Sequence, residues 1–156
     1  MGLGPVLYRE YPIGALGLMD DGQGLRRVFL RREDSAPGAP EGETPLTLQA
    51  AAELEEYFAG RRRAFTVPLS PRGTDFQQAV WEALRAIPYG ETRTYGEIAA
   101  AVGRPKAARA VGMANHDNPL LIFTPCHRVV GKNGALTGFA CGLEVKRRLL
   151  ELERGK

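Results

Sequence analysis

Cysteine and histidine are scarce in this sequence: two of each stand among 156 residues, with a single tryptophan. Cys126 and Cys141 are too few for the disulfide framework of a small secreted domain, and too few for a structural zinc site without help. Only His116 and His127 could give that help, and His127 directly follows Cys126, which makes those two poor partners in one tetrahedral shell. No metal and no cofactor is expected. Long apolar runs are missing as well; none approaches the roughly 18 residues of a membrane span. The opening MGLGPVLYRE lacks the basic-then-apolar order of a signal peptide, and Val6 stands where a myristoylation motif needs Ser or Thr. These absences predict an intracellular, cytoplasmic protein with no membrane partner.

What is present is ordinary in bulk and uneven in distribution. A composition 44% hydrophobic and 25% charged is that of a globular chain, long enough for one domain or two small ones. Residues 1–74 hold 9 Lys/Arg against 10 Asp/Glu, a net of −1, whereas residues 75–156 hold 12 against 8, a net of +4. A basic second half fits a polyanionic partner, although a surplus of this size also suits a solvated face.

The first half reads as short strands in VLYREYPIGALGLMDDGQGLRRVFLRR, turned at DDGQG. A Pro/Gly/acid-rich loop follows, then a helix, LTLQAAAELEEYFAG, capped by Thr44 with Pro45 in its first turn and closed by Gly60. RRRAFTVPLSPRG reads as a strand running into a linker, which puts the domain boundary between residues 70 and 71. Beyond it, Thr74 and Gln77 form a capping box for DFQQAVWEALRAI, with Phe76, Val80, Trp81, Leu84 and Ile87 as its apolar stripe. Thr94 and Glu97 form a second box for the short helix YGEIAAAV, which stops at Gly103. KAARAVGMA supplies a third helix. Two short helices joined by a tight turn suit a helix-turn-helix, though by pattern alone they suit an ordinary packed helical pair better. LLIFT and GALTGFA, on either side of GKNG, read as strand pieces and a hairpin; LEVKRRLLELE is the last helix.

Chemistry concentrates at IFTPCHRVVGKNG. Pro125 fixes its own φ and pushes Thr124 toward extended geometry, so the chain should arrive as a strand, turn, and place Cys126 in the first turn of a helical segment. The helix dipole and unpaired N–H groups would favour a thiolate there. That help matters, since a free thiol of pKa about 8.5 is only a few per cent ionised at neutral pH. Neighbouring residues diverge by roughly 100° in a helical turn, so His127 reaches the sulfur through a water. On the last helix Val145, Leu149, Leu150 and Leu152 mark the buried side. Glu153 extends that side by the i,i+3 and i,i+4 rule, which offers it as partner for the imidazole; a solvated glutamate on a fraying end is the other reading.

PCHRV at 125–129, TYGEIAAAVGRPKAARAVG upstream and NP at 118–119 together resemble the 6-O-alkylguanine–DNA alkyltransferases, the methylated-DNA–protein-cysteine methyltransferases. The likeness covers roughly residues 74–153. It implies an α/β (α+β) protein: an N-terminal ribonuclease-H-like domain with a small antiparallel sheet and helix (1–70), and a C-terminal winged helix-turn-helix domain for DNA binding and alkyl transfer (71–156). It implies a monomer without cofactor or metal that binds double-stranded DNA, flips out an O6-alkylguanine (or O4-alkylthymine) and moves the alkyl group irreversibly to its own cysteine. The product thioether has no carbonyl for water to attack, so the protein is consumed.

By position the resemblance makes Cys126 the alkyl acceptor, His127 its base, Glu153 the carboxylate orienting that base, and Tyr95 the phenol that donates toward guanine N3. Arg109 matches the side chain that enters the duplex beside the flipped nucleotide. Thr94, Tyr95, Lys106, Ala107, Ala108 and Asn115 are further expected DNA contacts, on a helix pair that enters the minor groove. Met113, Val129, Phe139, Ala140 and Cys141 are expected around the alkyl group, and Asn118 braces the turn before the active-site segment. Cys141 stands where many relatives have glycine, which narrows that space. Two other readings stay open: an alkyltransferase-like protein that grips lesions without repairing them, against which Cys126 itself argues, and a Cys-His-Glu hydrolase that turns over without DNA.

Overall fold

The structure is a computed structural model that describes residues 4–31, 36–136 and 142–155. The chain folds into two units: one holds the chain up to Arg72 together with Pro119–Leu121, the other Gly73–Asn118 and the chain from Ile122 onward. Among the described residues no helix is long and apolar enough to cross a membrane.

In the first unit, strands β1 (Leu7–Tyr11), β2 (Gly14–Asp20) and β3 (Leu25–Leu30) form an antiparallel sheet in that order. Alternation puts Leu16 and Leu18 of β2 inward, with Leu7 and Val28 opposite Leu18. Gly17 pairs between Tyr8 and Phe29, whose rings meet edge to face at 6.3 Å; an added Cβ would lie 2.5 Å from the Phe29 ring, so glycine is what lets both rings close over β2. Helix α1 (Pro45–Phe58) starts at the Thr44 cap and buries Ala50, Leu54 and Tyr57. The cap is tied to the sheet: Thr44 Oγ1 donates to Asp20 Oδ1 at 2.9 Å.

Two strand expectations fail here. The stretch 61–73 has no strand; its sheet contact is the single bridge between Leu69 and Leu25, and its path is set by buried Glu53. That carboxylate accepts from Thr66 N (3.0 Å), Thr66 Oγ1 (2.6 Å) and Val67 N (3.3 Å). Burial works to raise the Glu53 carboxyl, but the hydrogen bonds from Thr66, Gln49 and Val67 outweigh it and hold it below its ordinary range. LLIFT likewise forms no strand but isolated bridges, among them Leu120 to Val28, with Val28 N donating to Pro119 O and Leu121 N to Val28 O at 2.8 and 3.1 Å.

The second unit carries α2 (Asp75–Arg85), β4 (Arg93–Thr94), α3 (Tyr95–Ala101), α4 (Ala108–His116), β5 (Val129–Val130) and α5 (Leu143–Glu153). Both expected capping boxes are present: Thr74 with Gln77 opens α2, and Thr94 with Glu97 opens α3. Trp81, 1% exposed, joins α2 to α4 by donating Nε1–H to the carbonyl of Ala114 at 2.8 Å. Helix α4 begins at Ala108 rather than Lys106, since a turn occupies Pro105–Lys106 and no side chain caps the helix. The expected antiparallel hairpin is absent among the described residues: β5 pairs in parallel with β4, Arg93 opposite Val129 and Thr94 opposite Val130, and Lys132–Gly134 form a 3-10 turn. Most of GALTGFA, residues 137–140, lies outside the described residues.

Candidate active site

Cys126 is delivered by three successive local constraints. Asn118, just past α4, donates its amide to the carbonyl of Thr124 at 2.8 Å. Between them the chain turns through Ile122, whose φ of 72° is a left-handed conformation that costs a β-branched residue about 1–3 kcal/mol. Pro125 (φ −78°, ψ 67°) then sits at the centre of an inverse γ-turn, closed by Cys126 N donating to Thr124 O at 2.7 Å. The reversal therefore begins at Ile122, three residues before the proline expected to make it. Arg85 of α2 donates to Thr124 Oγ1 at 2.9 Å and fastens the same turn.

The helical segment expected at Cys126 is a single 3-10 turn, Cys126–Arg128. Three residues carry no appreciable dipole, so that argument for a thiolate fails. Side-chain charge takes its place. His127 is 0% exposed, and its Nε2 lies 2.6 Å from Glu153 Oε2. Arg128 closes on the same carboxylate, Nε to Oε1 at 2.8 Å and Nη2 to Oε2 at 3.0 Å, and Nη1 donates to the carbonyl of Ile87 at 2.8 Å. Burial works to raise the Glu153 carboxyl, but the hydrogen bonds and charges of His127 and Arg128 prevail and hold it far below the ordinary range. An anionic Glu153 at 2.6 Å requires Nε2 to carry the imidazole proton. Nδ1 is then the acceptor nitrogen, and it has no hydrogen-bond partner among the described residues. Burial pushes His127 below its ordinary value of 6.5; Glu153 pulls it up, while Arg128 and Lys146 add to the lowering.

Two residues of this cluster were not anticipated. Arg128 stands in the quoted motif itself, next to His127. Lys146 is 0% exposed on α5; burial lowers its ammonium and the charge of Cys126 draws it back up. It precedes Glu153 by seven residues, two helical turns, so spacing alone puts both on one face. Val145 and Leu152, expected on the buried side, are only half-buried; Lys146, Leu149, Leu150 and Glu153 make up that side.

The remaining expected residues divide by exposure. Arg109 and Lys106 are exposed, Thr94, Tyr95, Ala107 and Ala108 half-buried, and Met113 is 61% exposed. Gly112 of α4 faces the Tyr95 ring, whose Cε1 would lie 3.8 Å from an added Cβ. Asn115 does not belong on the expected DNA-contact surface: it is 3% exposed, and its Nδ2 lies 3.4 Å from the carbonyl of Cys126. Its spacing from Ala108 and Val111 puts it on the inner face of α4. Val129 is fully buried beside the 3-10 turn. Phe139, Ala140 and Cys141 lie outside the described residues.

A buried cysteine followed by a histidine locked onto a carboxylate can lose its proton and act as a nucleophile. Comparison with known proteins narrows the chemistry. Residues 75–155 match the 6-O-methylguanine DNA methyltransferase DNA-binding domain, and residues 7–71 the ribonuclease-like domain of the same family. The constitutive methylated-DNA–protein-cysteine methyltransferase of Bacillus subtilis is 51% identical over 152 residues, covering 93% of this chain and 92% of its own. That of Methanosarcina acetivorans is 50% identical, covering 92% and 94%. The crystal structure of Mycobacterium tuberculosis OGT in complex with DNA superposes with a TM-score of 0.89 at 47% identity, over 96% of this chain and 92% of that one. The chain belongs to the 6-O-methylguanine DNA methyltransferase family.

Proposed function

We propose that this protein repairs alkylated DNA by direct reversal, transferring the alkyl group from guanine O6 to Cys126 in a single turnover. The observation that carries the reading is His127, fully buried, held at 2.6 Å by Glu153 through Nε2, with Nδ1 unpartnered among the described residues, in the residue next to the cysteine. In the proposed reaction the Cys126 proton passes through a water to His127 Nδ1. The thiolate attacks the alkyl carbon; the S–C bond forms as the C–O6 bond breaks. The departing guanine takes a proton at N3 from the Tyr95 hydroxyl, and solvent restores the phenol. Charge supports the first step: Lys146 and Arg128 against Glu153 leave one positive charge in the interior, and that surplus favours the Cys126 thiolate over the thiol.

DNA is the partner this reading requires, since relatives carry methylated DNA in their names and one is solved in complex with DNA. A base inside a duplex does not expose O6 to a buried sulfur, so the base must leave the stack. In this reading Arg109 enters the duplex, which its exposure near the start of α4 supports, and Tyr95 lies across the helix pair at Gly112. Such a protein acts where the chromosome is, which for this chain we take to be the cytoplasm, as a monomer.

The test is an intact-protein mass measurement after mixing with duplex oligonucleotide containing O6-methylguanine. One methyl group per protein is expected on the wild type and on Cys141→Ala, and none on Cys126→Ala. Tight binding to the lesion with no mass gain in the wild type would move the reading to a lesion-binding protein. Repeated turnover of an ester without DNA would move it to a hydrolase.

A further inference from the structure

Arg128 takes no step in the transfer just described, yet its guanidinium is held on every side. Three of its donors are engaged, two on the oxygens of Glu153 and one on the carbonyl of Ile87, and its Cζ lies 5.7 Å from the centre of the Tyr89 ring. A paired carboxylate and imidazole in a dry interior pose a problem that this arrangement answers. Uncompensated, a buried carboxylate draws a proton onto its histidine, and an imidazolium cannot take the proton of a thiol. Several groups act on His127. Arg128 lies on its own turn beside Cys126, and α5 contributes Glu153 and Lys146; Arg85 of α2, the nearby cation at the preceding turn, is bonded to Thr124 instead. Glu153 favours the imidazolium, as Cys126 does once ionised; Arg128 and Lys146 oppose it. Arg128 also touches the carboxylate, through both of its oxygens, and guanidinium keeps its charge at every pH at which a protein folds. Its planar fork fixes the plane of the carboxylate as well, which a lysine cannot do.

We propose that Arg128 is a positioning residue of the transfer reaction: its fork fixes both oxygens of Glu153 and offsets their charge, so that His127 waits beside Cys126 as a neutral imidazole protonated on Nε2. The claim deepens the repair reading and rests on it. It assigns to the third residue of the Cys-His-Arg sequence the task of keeping the second one a base.

The chain has two histidines, one exposed and one buried, so the ring nitrogens of histidine-labelled protein can be followed singly by NMR. In the wild type His127 is expected as the neutral Nε2–H tautomer at neutral pH. In Arg128→Met its protonation midpoint should rise, and methyl transfer at neutral pH should fall about 10- to 100-fold, recovering as pH is raised. Arg128→Lys, which keeps a charge without the fork, should fall between, and it decides the matter if Arg128→Met does not fold. A merely structural arginine would lower the melting temperature and leave the His127 titration where it was. That result in either folded variant overturns the proposal while leaving the repair reading intact. A wild type with the expected tautomer that never methylates Cys126 overturns the repair reading and this role together.

Discussion

Acidification should unfold this protein early, and His127 sets where the loss begins. Its imidazole is fully buried, and burial holds its pKa below the ordinary 6.5 that it regains on unfolding. Below 6.5 the unfolded chain therefore binds a proton that the folded protein refuses. The contribution is complete above that value and is lost as pH falls toward the folded one. Each pH unit inside the window removes about 1.4 kcal/mol, so acidifying to about pH 5 costs up to about 2 kcal/mol. Against a typical total of about 5–15 kcal/mol this is easily measured. Glu153 acts in the same sense in a lower window: its folded carboxyl is far below the ordinary 4.5, so its contribution is lost only as pH falls below that value. Between about pH 7 and about pH 5 the slope accordingly belongs to the histidine. Trp81 is the only tryptophan and lies buried in the same unit as His127, so its fluorescence reports urea unfolding of that unit. The wild type should lose stability over this interval while His127→Gln stays nearly flat. Parallel curves for the two proteins would refute the argument, because the titrating group would then lie elsewhere.

Two further outcomes follow from single side chains. Lys146 shares the interior with Cys126, and Lys146→Met should slow alkylation of Cys126 by iodoacetamide at neutral pH about tenfold, moving the pH midpoint of the reaction up by about one unit; an unmoved midpoint would exclude the lysine as a source of thiolate. A Cβ at Gly73 would lie 2.5 Å from the ring of Trp81. Gly73→Ala should therefore cost about 1–3 kcal/mol in urea unfolding, and a wild-type midpoint would show that the ring moves freely.

Signals that act within one turn of helix were legible in the sequence. Thr74 with Gln77 and Thr94 with Glu97 cap their helices through residues three apart, and the structure has both boxes as read. Segments whose course depends on distant partners were not. RRRAFTVPLSPRG reads as a strand by itself, but Glu53, on a helix thirteen residues away, takes the N–H of Thr66 that a sheet would have used. The resemblance put Asn115 on the DNA, but Ala108, Val111 and Asn115 run down one face of α4 and its side chain is buried. Lys146 carried no such signal: a lysine reads as solvated unless something beyond its own helix says otherwise.

The site shows why local text reached the nucleophile and stopped short of what governs it. Cys126, His127 and Arg128 arrive together on one three-residue turn, in an order no rearrangement of the rest of the chain can change. Their charges are completed by two residues of another helix, Lys146 toward the cysteine and Glu153 toward the histidine and arginine. Seven residues separate those two, and two turns of helix bring them back to nearly one azimuth. The phase of α5 thus decides whether the interior beside Cys126 holds a compensated set of charges or an uncompensated one. Rotating that helix by one residue, roughly 100°, would leave Arg128 buried without its carboxylate and return the imidazole to an undirected ring. The nucleophile is written in five consecutive letters, but its ionisation is a property of how one amphipathic helix is seated.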